Sequence, residues 1–355
     1  MSATTALHLA AEIGGPPHYD ALHYVELARL AERGSLDFVT LGDSFARPGL
    51  DALAVLSRVA PATRRIGLVP TVTTTHTEPF HVSSAVATLD WVSRGRAGWS
   101  AEVSATEAEA RLFGRRSAAP AAELWREAGE TADVGARLWD SWEDDAEIRD
   151  VATGRFIDRD KLHYVDFEGA TFTVRGPAIV PRPPQGHPVT VIDGTGGPSQ
   201  AAAARHADVV LVRATAPEQA AGIREDVRRR AAAYGRDPDT LRVLVALTVD
   251  LGDAETAPEP GLESGPPLAA GGSYYRGGPV DLAELIARWH RAGAVDGFHL
   301  TPITPERDLE RIVNGTVALL QHRSLFRTFY PGGTLREHLG LARPANRYAL
   351  AEGRA

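Results

Sequence analysis

Short apolar runs rich in β-branched residues alternate along the chain with longer amphipathic segments, a pattern that predicts strands alternating with helices. The predicted strands are Ala6–Glu12, Phe38–Asp43, Ile66–Val72, Ala97–Val103, Val189–Asp193, Val209–Ala214, Leu241–Leu251 and Gly297–Pro302. A helix follows each strand, at about Asp20–Arg33, Leu50–Thr63, Pro79–Ser93, Ala119–Trp142, Pro198–His206, Pro217–Tyr234, Asp281–Ala292 and Pro305–His322. Eight strand–helix pairs in this order favour an α/β fold in which a parallel sheet closes into one (β/α)8 TIM barrel.

An open, doubly wound sheet is the alternative architecture. It would carry GxGxxG after an early strand, and the first connection, IGGPPHYD, lacks that spacing.

Two segments fall outside the eight units. One is an insertion after the fourth strand, Glu143–Pro188, with a hairpin predicted at Leu162–Val174; the other is Glu255–Gly278, whose Gly, Pro and Ser content predicts a mobile loop. Residues 323–355 form a C-terminal arm, and residues 1–355 are interpreted as a single domain.

The composition is that of an ordinary globular protein, with 43% hydrophobic and 24% charged residues. The formal net charge of −8 argues against a nucleic-acid partner. The absence of cysteine excludes disulfides, thiolate metal ligands and a cysteine nucleophile. Because we find neither a signal peptide nor an apolar stretch long enough to span a bilayer, we expect a cytoplasmic protein without a membrane partner.

Polar residues lie at the ends of the predicted strands, where the active sites of barrels are found. They are Glu12, Asp43, Ser44, Thr71, Thr73, Thr74, Thr75, His76, Glu102, Ser104, Asp193, Arg213, Asp250, His299 and Thr301. Among them, His299 and Glu102 are the candidates for handling a proton. Simpler interpretations stay open: strand-end hydroxyls often cap a helix, Asp43 can close a turn, and His299 can be a packed core residue. The absence of HxH, HExxH and GxSxG argues against a metal site and a hydrolase serine.

The turn DGTGG after the fifth strand is the most informative local motif. Its residues Gly194, Thr195 and Gly196 precede the predicted helix Pro198–His206. Glycines let the backbone approach a ligand closely, and the N-terminus of a helix attracts anions. The turn is therefore a candidate phosphate cradle, with a tight loop that binds nothing as the alternative.

Four stretches of the chain resemble bacterial luciferase-like flavin monooxygenases, in the branch of the nitrilotriacetate, alkane and dibenzothiophene-sulfone monooxygenases. They are Arg65–Ser100 (RIGLVPTVTTTHTEPFHV…ATLDWVSRGRAGWS), Arg137–Trp142 (RLWDSW), Phe167–Pro177 (FEGATFTVRGP) and Leu325–Tyr348 (LFRTFYPGGTLREHLGLARPANRY). The resemblance implies a (β/α)8 barrel that takes reduced FMN from a separate flavin reductase and inserts one oxygen atom of O2 into a small organic substrate. It also implies a homodimer or homotetramer in which the C-terminal arm contacts a second subunit.

Part of the family's flavin site is retained in this sequence. By resemblance, Asp43, Thr71 and Thr73 lie near the isoalloxazine ring, and Ser104 is the retained serine of the motif after the fourth strand. The asparagine and threonine of that motif are replaced here by Ser100 and Val103.

The phosphate side of the site departs from the family pattern at three positions. Ala121 and Trp125 stand where the family has histidine and tyrosine, and Gly196 stands where it has serine. Backbone N–H groups of the glycine turn, Thr195 and Trp125 are candidate replacements, as are the arginines at positions 111, 115 and 116. Asp193 would oppose a phosphate, so we expect its side chain to point elsewhere.

Three functions are compatible with these residues. The first is an FMN-dependent monooxygenase with a rebuilt phosphate site. The second is a relative that uses deazaflavin F420 for hydride transfer without oxygen. The third is a barrel that has lost flavin chemistry and acts as a binding or partner subunit.

Overall fold

The computed structural model of the chain describes residues 6–264 and 273–352. Its strands are β1 (His8–Glu12), β2 (Phe38–Leu41), β3 (Gly67–Thr73), β4 (Gly98–Glu102), β5 (Glu147–Asp150), β6 (Arg155–Ile157), β7 (Phe167–Glu168), β8 (Thr173–Val174), β9 (Val189–Asp193), β10 (Val209–Val212), β11 (Arg242–Asp250), β12 (Gly261–Ser264), β13 (Ser273–Arg276) and β14 (Gly297–Pro302). Its α-helices are α1 (Ala21–Arg33), α2 (Ala52–Val59), α3 (Pro79–Ser93), α4 (Glu107–Phe113), α5 (Ala121–Asp140), α6 (Ser199–His206), α7 (Pro217–Ala233), α8 (Pro279–Arg291), α9 (Pro305–Arg311), α10 (Ala318–His322), α11 (Leu335–His338) and α12 (Arg347–Glu352). None of these described helices has the length and apolarity needed to cross a bilayer.

Eight parallel strands close into a barrel. Their order around the ring is β1, β2, β3, β4, β9, β10, β11 and β14, and β14 pairs with β1. The ring has no open edge, because β10 also pairs with β11. The (β/α)8 fold predicted from the alternation of strands and helices is therefore confirmed.

Strand register divides the barrel interior into an apolar floor and a polar mouth. Alternate residues of a strand face the same side, and the register places the inward residues of neighbouring strands next to one another. The floor is a buried cluster to which these strands contribute Ala10, Phe38, Val69, Val189, Val191, Val209 and Leu244. The same alternation, continued toward the carboxyl ends, puts polar residues on the inward face: Glu12, Thr40, Thr71, Thr73, Glu102, Asp193, Arg213, Thr248 and His299.

The insertion after β4 contains more structure than the sequence predicts. The predicted hairpin at Leu162–Val174 is present as the short pair β7–β8, and a second hairpin, β5–β6, precedes it. A separate helix, α4, also comes before α5. The β5–β6 hairpin was missed because its strands are largely exposed, so that they lack the alternation of buried and polar positions that marks a strand.

The segment Glu255–Gly278 is not the continuous loop that we predicted. Strands β12 and β13 form an antiparallel pair within it, and β13 lies parallel to β11. Its abundant glycine, proline and serine concealed these short strands, although the aromatic pair Tyr274 and Tyr275 is typical of β-structure. Residues 265–272 of the predicted loop lie outside the described part of the chain.

The C-terminal arm packs under its own barrel. Leu335, Leu339 and Leu341 join the apolar floor cluster. Arg336 also forms an ion pair with Asp208, at 2.9 Å. The arm thus closes the amino-terminal end of the barrel, while its predicted role between subunits stays a prediction.

Asp37 ties the arm to the first two strands. Its Oδ1 lies 3.1 Å from His8 Nδ1 and 2.8 Å from Arg327 Nη1, and its Oδ2 accepts the Leu9 N–H at 2.8 Å. Burial by itself would raise the pKa of Asp37. Arg327 and His8 outweigh that effect and hold the pKa at about 2.

Replacing Asp37 should destabilise the fold strongly. An Asp37→Asn variant leaves Arg327 beside a neutral group in a buried site, and losing one partner of a buried pair costs about 3–5 kcal/mol. Urea unfolding followed by circular dichroism measures the difference at pH 7, with the exposed Asp253→Asn variant as the control, expected to change stability by less than about 0.5 kcal/mol.

The stabilisation of the fold by Asp37 should decrease as the pH falls. Because the folded pKa of Asp37 lies below its ordinary value, its stabilisation is full above the unfolded pKa, about 4, and is lost as the pH falls toward 2. The stability gap between the parent protein and Asp37→Asn should therefore narrow below pH 4. A gap that stays constant down to pH 2 would contradict this assignment.

Candidate functional site

Glu12, Thr40 and His299 form a hydrogen-bonded chain in the barrel mouth. The N–H groups of Gly14 and Gly42 donate to Glu12 Oε1 at 2.9 and 2.8 Å. The Thr40 hydroxyl donates to Glu12 Oε2 at 2.5 Å. Since this bond uses the only hydroxyl proton, Thr40 Oγ1 accepts from His299 Nε2–H, at 2.8 Å.

This chain leaves the Nδ1 lone pair of His299 free. Nδ1 is buried and has no hydrogen-bond partner in the described structure. Burial lowers the pKa of His299, although Glu12 acts in the opposite direction. The imidazole is therefore a neutral base at the inner end of the mouth. The His299 side chain is almost fully buried, and its ring stacks on that of Phe38 with 6.4 Å between the ring centroids. His299 is therefore also packed in the core, as the alternative interpretation of the sequence expected.

Asp193 points into the mouth, contrary to our expectation that it would turn away. Its Oδ2 lies 2.6 Å from Arg213 Nη1, and its Oδ1 accepts the Thr195 N–H at 2.9 Å. Strand alternation explains this orientation. Asp193 lies two residues after the inward Val191, so it faces the same side of the sheet, and it pairs in register with Leu211 of β10. The Arg213 guanidinium offsets the negative charge that would oppose a phosphate.

Glu102, the second proton candidate, lies at the mouth end of β4. Its Oε1 accepts the Val103 N–H at 2.9 Å. Desolvation by the surrounding rim raises the pKa of Glu102, and the negative charge of Asp193 adds to the increase. More than a third of the residue is nevertheless exposed, so its carboxylate is open to a ligand.

The glycine turn leaves open space at the predicted phosphate cradle. A methyl group at Gly196 or Gly197 would meet no atom within 4 Å beyond its chain neighbours. Gly194 differs, since a methyl group there would lie 2.6 Å from Val210. The Thr195 hydroxyl is buried without a partner and is therefore available to a ligand oxygen. Space and an unused donor thus occur together, as a phosphate cradle requires.

A second unpartnered hydroxyl belongs to Ser104. Its N–H donates to Thr75 Oγ1 at 3.0 Å, whereas its own Oγ is buried without a partner. Thr74 serves the backbone instead, because its hydroxyl donates to the Glu102 carbonyl at 3.0 Å. The Ser104 hydroxyl is therefore free to bind a ligand, whereas the Thr74 hydroxyl is not.

Asp43, Thr71 and Thr73 line a common cleft of about 180 Å³. Asp43 also closes the turn after β2, since its Oδ1 accepts the Ser44 N–H at 2.7 Å and its Oδ2 accepts the Ala52 N–H at 3.1 Å. The turn-closing interpretation of Asp43 is thus correct, and it is compatible with a place in the cleft.

Two of the three arginines after β4, Arg111 and Arg116, already have a carboxylate partner. Arg116 donates to both carboxylate oxygens of Glu127 at 2.7 Å and to the Thr75 carbonyl. Arg111 is exposed and lies 3.6 Å from Glu107, and Arg115 is exposed as well. That one of these arginines replaces the missing phosphate ligands stays a prediction.

Trp125 is half-buried on α5 and lines the same groove as Pro198 and Ala202, at the start of α6. This position places it beside the glycine turn. The described residues contain no group of three or more potential ligands that could hold a metal ion.

Comparison with known proteins identifies the family. A family model described as luciferase-like monooxygenase matches residues 4–262. The chain belongs to this family. It is 32% identical to N-acetyl-S-(2-succino)cysteine monooxygenase of Bacillus subtilis (strain 168), over 92% of this chain and 91% of the relative. It is 33% identical to nitrilotriacetate monooxygenase component A of Aminobacter aminovorans, over 93% and 92%. The protein is accordingly a flavin-dependent monooxygenase.

Solved structures agree on the fold. A crystal structure of long-chain alkane monooxygenase superposes with a TM-score of 0.84 and 23% identity, over 95% of this chain and 96% of that one. An F420-dependent secondary alcohol dehydrogenase reaches a TM-score of 0.66 at 15% identity, over 87% of this chain and 98% of that one. The latter shows a shared barrel alone, so F420 is a distant alternative for this luciferase-like monooxygenase.

Thr40 is the member of the hydrogen-bonded chain that the sequence analysis missed. It lies in the middle of β2, whose other residues are apolar. Inward alternation places it two residues after Phe38, on the same face. A hydroxyl at an inward position of an otherwise apolar strand was the available signal.

The hydrogen-bond chain predicts a specific tautomer for His299. At pH 7 we expect a neutral imidazole protonated at Nε2, because Thr40 Oγ1 is the acceptor that the described part of the chain offers to the ring. Nitrogen-15 NMR of histidine-labelled protein, assigned with a His299→Gln variant, measures this directly. A Thr40→Val variant should shift the signal and the exposed control Thr88→Val should not. An Nδ1-protonated or charged ring at pH 7 would contradict the chain.

Proposed function

We propose that this monooxygenase uses reduced FMN, supplied by a separate flavin reductase, to insert one oxygen atom of O2 into a small organic substrate at the barrel mouth. The observation that carries the proposal is the open glycine turn with its buried, unpartnered hydroxyl at Thr195. By resemblance to the family, we expect the flavin phosphate at this turn.

The phosphate would be held mainly by the backbone. The turn from Gly194 to Gly197 leads directly into α6, whose N-terminal N–H groups and dipole favour an anion. Thr195 Oγ1 adds a side-chain donor, and Ser104 Oγ offers a second unused hydroxyl near the strand ends. Donors of this kind compensate for the three family side chains that the sequence lacks.

The isoalloxazine ring would occupy the side of the mouth lined by Asp43, Thr71 and Thr73. Bound flavin would supply the oxygen-activating chemistry, which no side chain provides. The protein's own part is positioning and the exclusion of water, since the apolar floor closes the barrel beneath the site. His299 would accept or return a proton at Nδ1.

The alternative of a barrel that has lost flavin chemistry is less well supported. Such a protein has no need to keep buried hydroxyls without partners, because an unsatisfied buried polar group costs about 1–3 kcal/mol. Ser104 and Thr195 are both unsatisfied in this way. Unused donors of this type are expected where a ligand completes the hydrogen bonds.

Assembly and location follow the family in this proposal. We expect a cytoplasmic homodimer or homotetramer, as the resemblance of the C-terminal arm implies. Light scattering that gives the mass of a monomer would refute the assembly.

Removing the Thr195 hydroxyl should weaken flavin binding. A bond from a hydroxyl to a charged phosphate contributes about 1.5–3 kcal/mol, so Thr195→Val should raise the Kd for FMN by about tenfold or more. Anaerobic titration with oxidised and reduced FMN, followed by flavin fluorescence, measures the change. Thr88→Val on α3 is the matched control and should leave the Kd unchanged.

Filling the cradle should have a similar effect. Gly196→Ala adds a methyl group to open space without disturbing the fold, and it should raise the Kd for FMN by about tenfold. Gly222→Ala on α7, also in open space, is the control.

If neither form of FMN binds the parent protein at concentrations on the order of 1 mM, the proposed function is wrong.

A further inference from the structure

A groove of about 700 Å³ lies between the helices outside the barrel and begins beside the glycine turn. Pro198, which directly follows Gly197, lines it together with Trp125 on α5. Arg205 and Tyr234 line it at the carboxyl ends of α6 and α7. Ligand sites in proteins usually measure about 300–1,000 Å³. The groove is therefore large enough for a ligand, and it adjoins the proposed phosphate cradle.

The glycines leave the way from the cradle to the groove open. A methyl group at Gly196 or Gly197 would meet no atom within 4 Å beyond its chain neighbours, and both residues are exposed. Arg205 lies seven residues after Pro198 on α6, which corresponds to about 10 Å along the helix axis. A phosphate held by the turn thus has room for a further substituent about as long as an adenosine monophosphate unit.

Two arginines of the groove are available to a second phosphate. Arg126 and Arg205 are exposed, and neither has an ion-pair or hydrogen-bond partner within the described part of the chain. The carboxylates that line the groove are Glu130, which accepts a backbone N–H at 3.0 Å, and Asp133, which is paired with Arg137 at 2.7 Å. The side chains without an ionic partner therefore carry more positive than negative charge, which favours an anionic ligand.

The lower end of the groove offers planar groups to a nucleobase. The Arg205 guanidinium lies over the Tyr234 ring, 4.9 Å from its centroid, and Tyr234 is exposed. Aromatic rings and guanidinium planes both stack on bases. The neighbouring His206 also lines the groove, and burial lowers its pKa to about 4, so that its neutral ring can hydrogen-bond to a base at pH 7. Phosphate ligands and a base platform thus occur in one groove.

We propose that the flavin site extends along this groove and takes FAD, with the adenosine monophosphate half between α5 and α6. This inference rests on the proposed function, because it lengthens the same cofactor site beyond the first phosphate. The glycine turn would hold the first phosphate and Arg126 the second, and the adenine would lie against Tyr234 and Arg205. FAD and FMN present the same isoalloxazine ring to the mouth, so the chemistry proposed there is unchanged.

Three flavins that differ only beyond the ribityl chain test the groove. Riboflavin, FMN and FAD are titrated in their oxidised forms into the whole protein, and isothermal calorimetry gives each Kd. We expect FAD to bind at least about tenfold more tightly than FMN. Arg205→Gln should remove most of this advantage and leave the Kd for FMN unchanged. Arg33→Gln, at an exposed position on α1, is the matched control and should change neither value.

A second variant blocks the groove without removing a charge. Ala201 lines the groove and is exposed, so the indole of Ala201→Trp fills the groove without entering the core. The Kd for FAD should rise to that for FMN or above it, while FMN binding stays as in the parent. Ala318→Trp, at an exposed position on α10, is the control.

Two results would overturn the inference. One is FAD binding no more tightly than FMN, and the other is an FAD preference that Arg205→Gln and Ala201→Trp both leave intact. FMN binding without an FAD preference refutes only the groove, whereas FAD binding without FMN binding refutes only the choice of FMN. A smaller mass of Ala201→Trp in light scattering, without an FAD preference in the parent, would assign the groove to a contact between copies of the chain instead.

Discussion

Closure of the eight-stranded ring is the constraint on which the site depends. Once β10 pairs with β11, the register around the barrel is set, and every second residue of each strand must face inward. The inward residues change from apolar to polar along the strands, so that one end becomes a floor and the other a mouth. Asp193 illustrates how strong this constraint is. It faces the mouth although a phosphate is expected nearby, and Arg213 stands beside it to offset the charge.

The buried polar groups of the barrel differ in whether protein atoms satisfy them. At the closed end, Asp37 is fully satisfied by His8, Arg327 and the Leu9 N–H, and it holds the C-terminal arm in place. At the mouth, Thr195 Oγ1 and His299 Nδ1 are buried without partners in the described structure. Satisfied groups stabilise the scaffold, whereas unsatisfied ones are a cost that a ligand can relieve. The unsatisfied groups at the mouth belong to the open glycine turn and to the Glu12–Thr40–His299 chain, and our proposal therefore places the flavin and the proton chemistry there.

The sequence was sufficient for the barrel and for much of the site's composition. Periodicity located the eight barrel strands because each is a buried apolar run, and the same periodicity failed for β5 and β6, which are exposed. Resemblance placed Thr195 at the site, but it could not show that the hydroxyl is buried and unpartnered, since that depends on packing. Thr40 was missed for a related reason: its importance comes from contacts with residues 28 and 259 positions away in the chain.

The central claim is that a turn of glycines and backbone donors has replaced the family's side-chain ligands for the flavin phosphate. Comparing the affinities of FMN and riboflavin for the whole protein tests it most directly, because the two differ only in the phosphate. If the cradle binds phosphate, FMN should bind at least about a hundredfold more tightly, as two charge-assisted hydrogen bonds would provide. Equal affinities for FMN and riboflavin would contradict the claim.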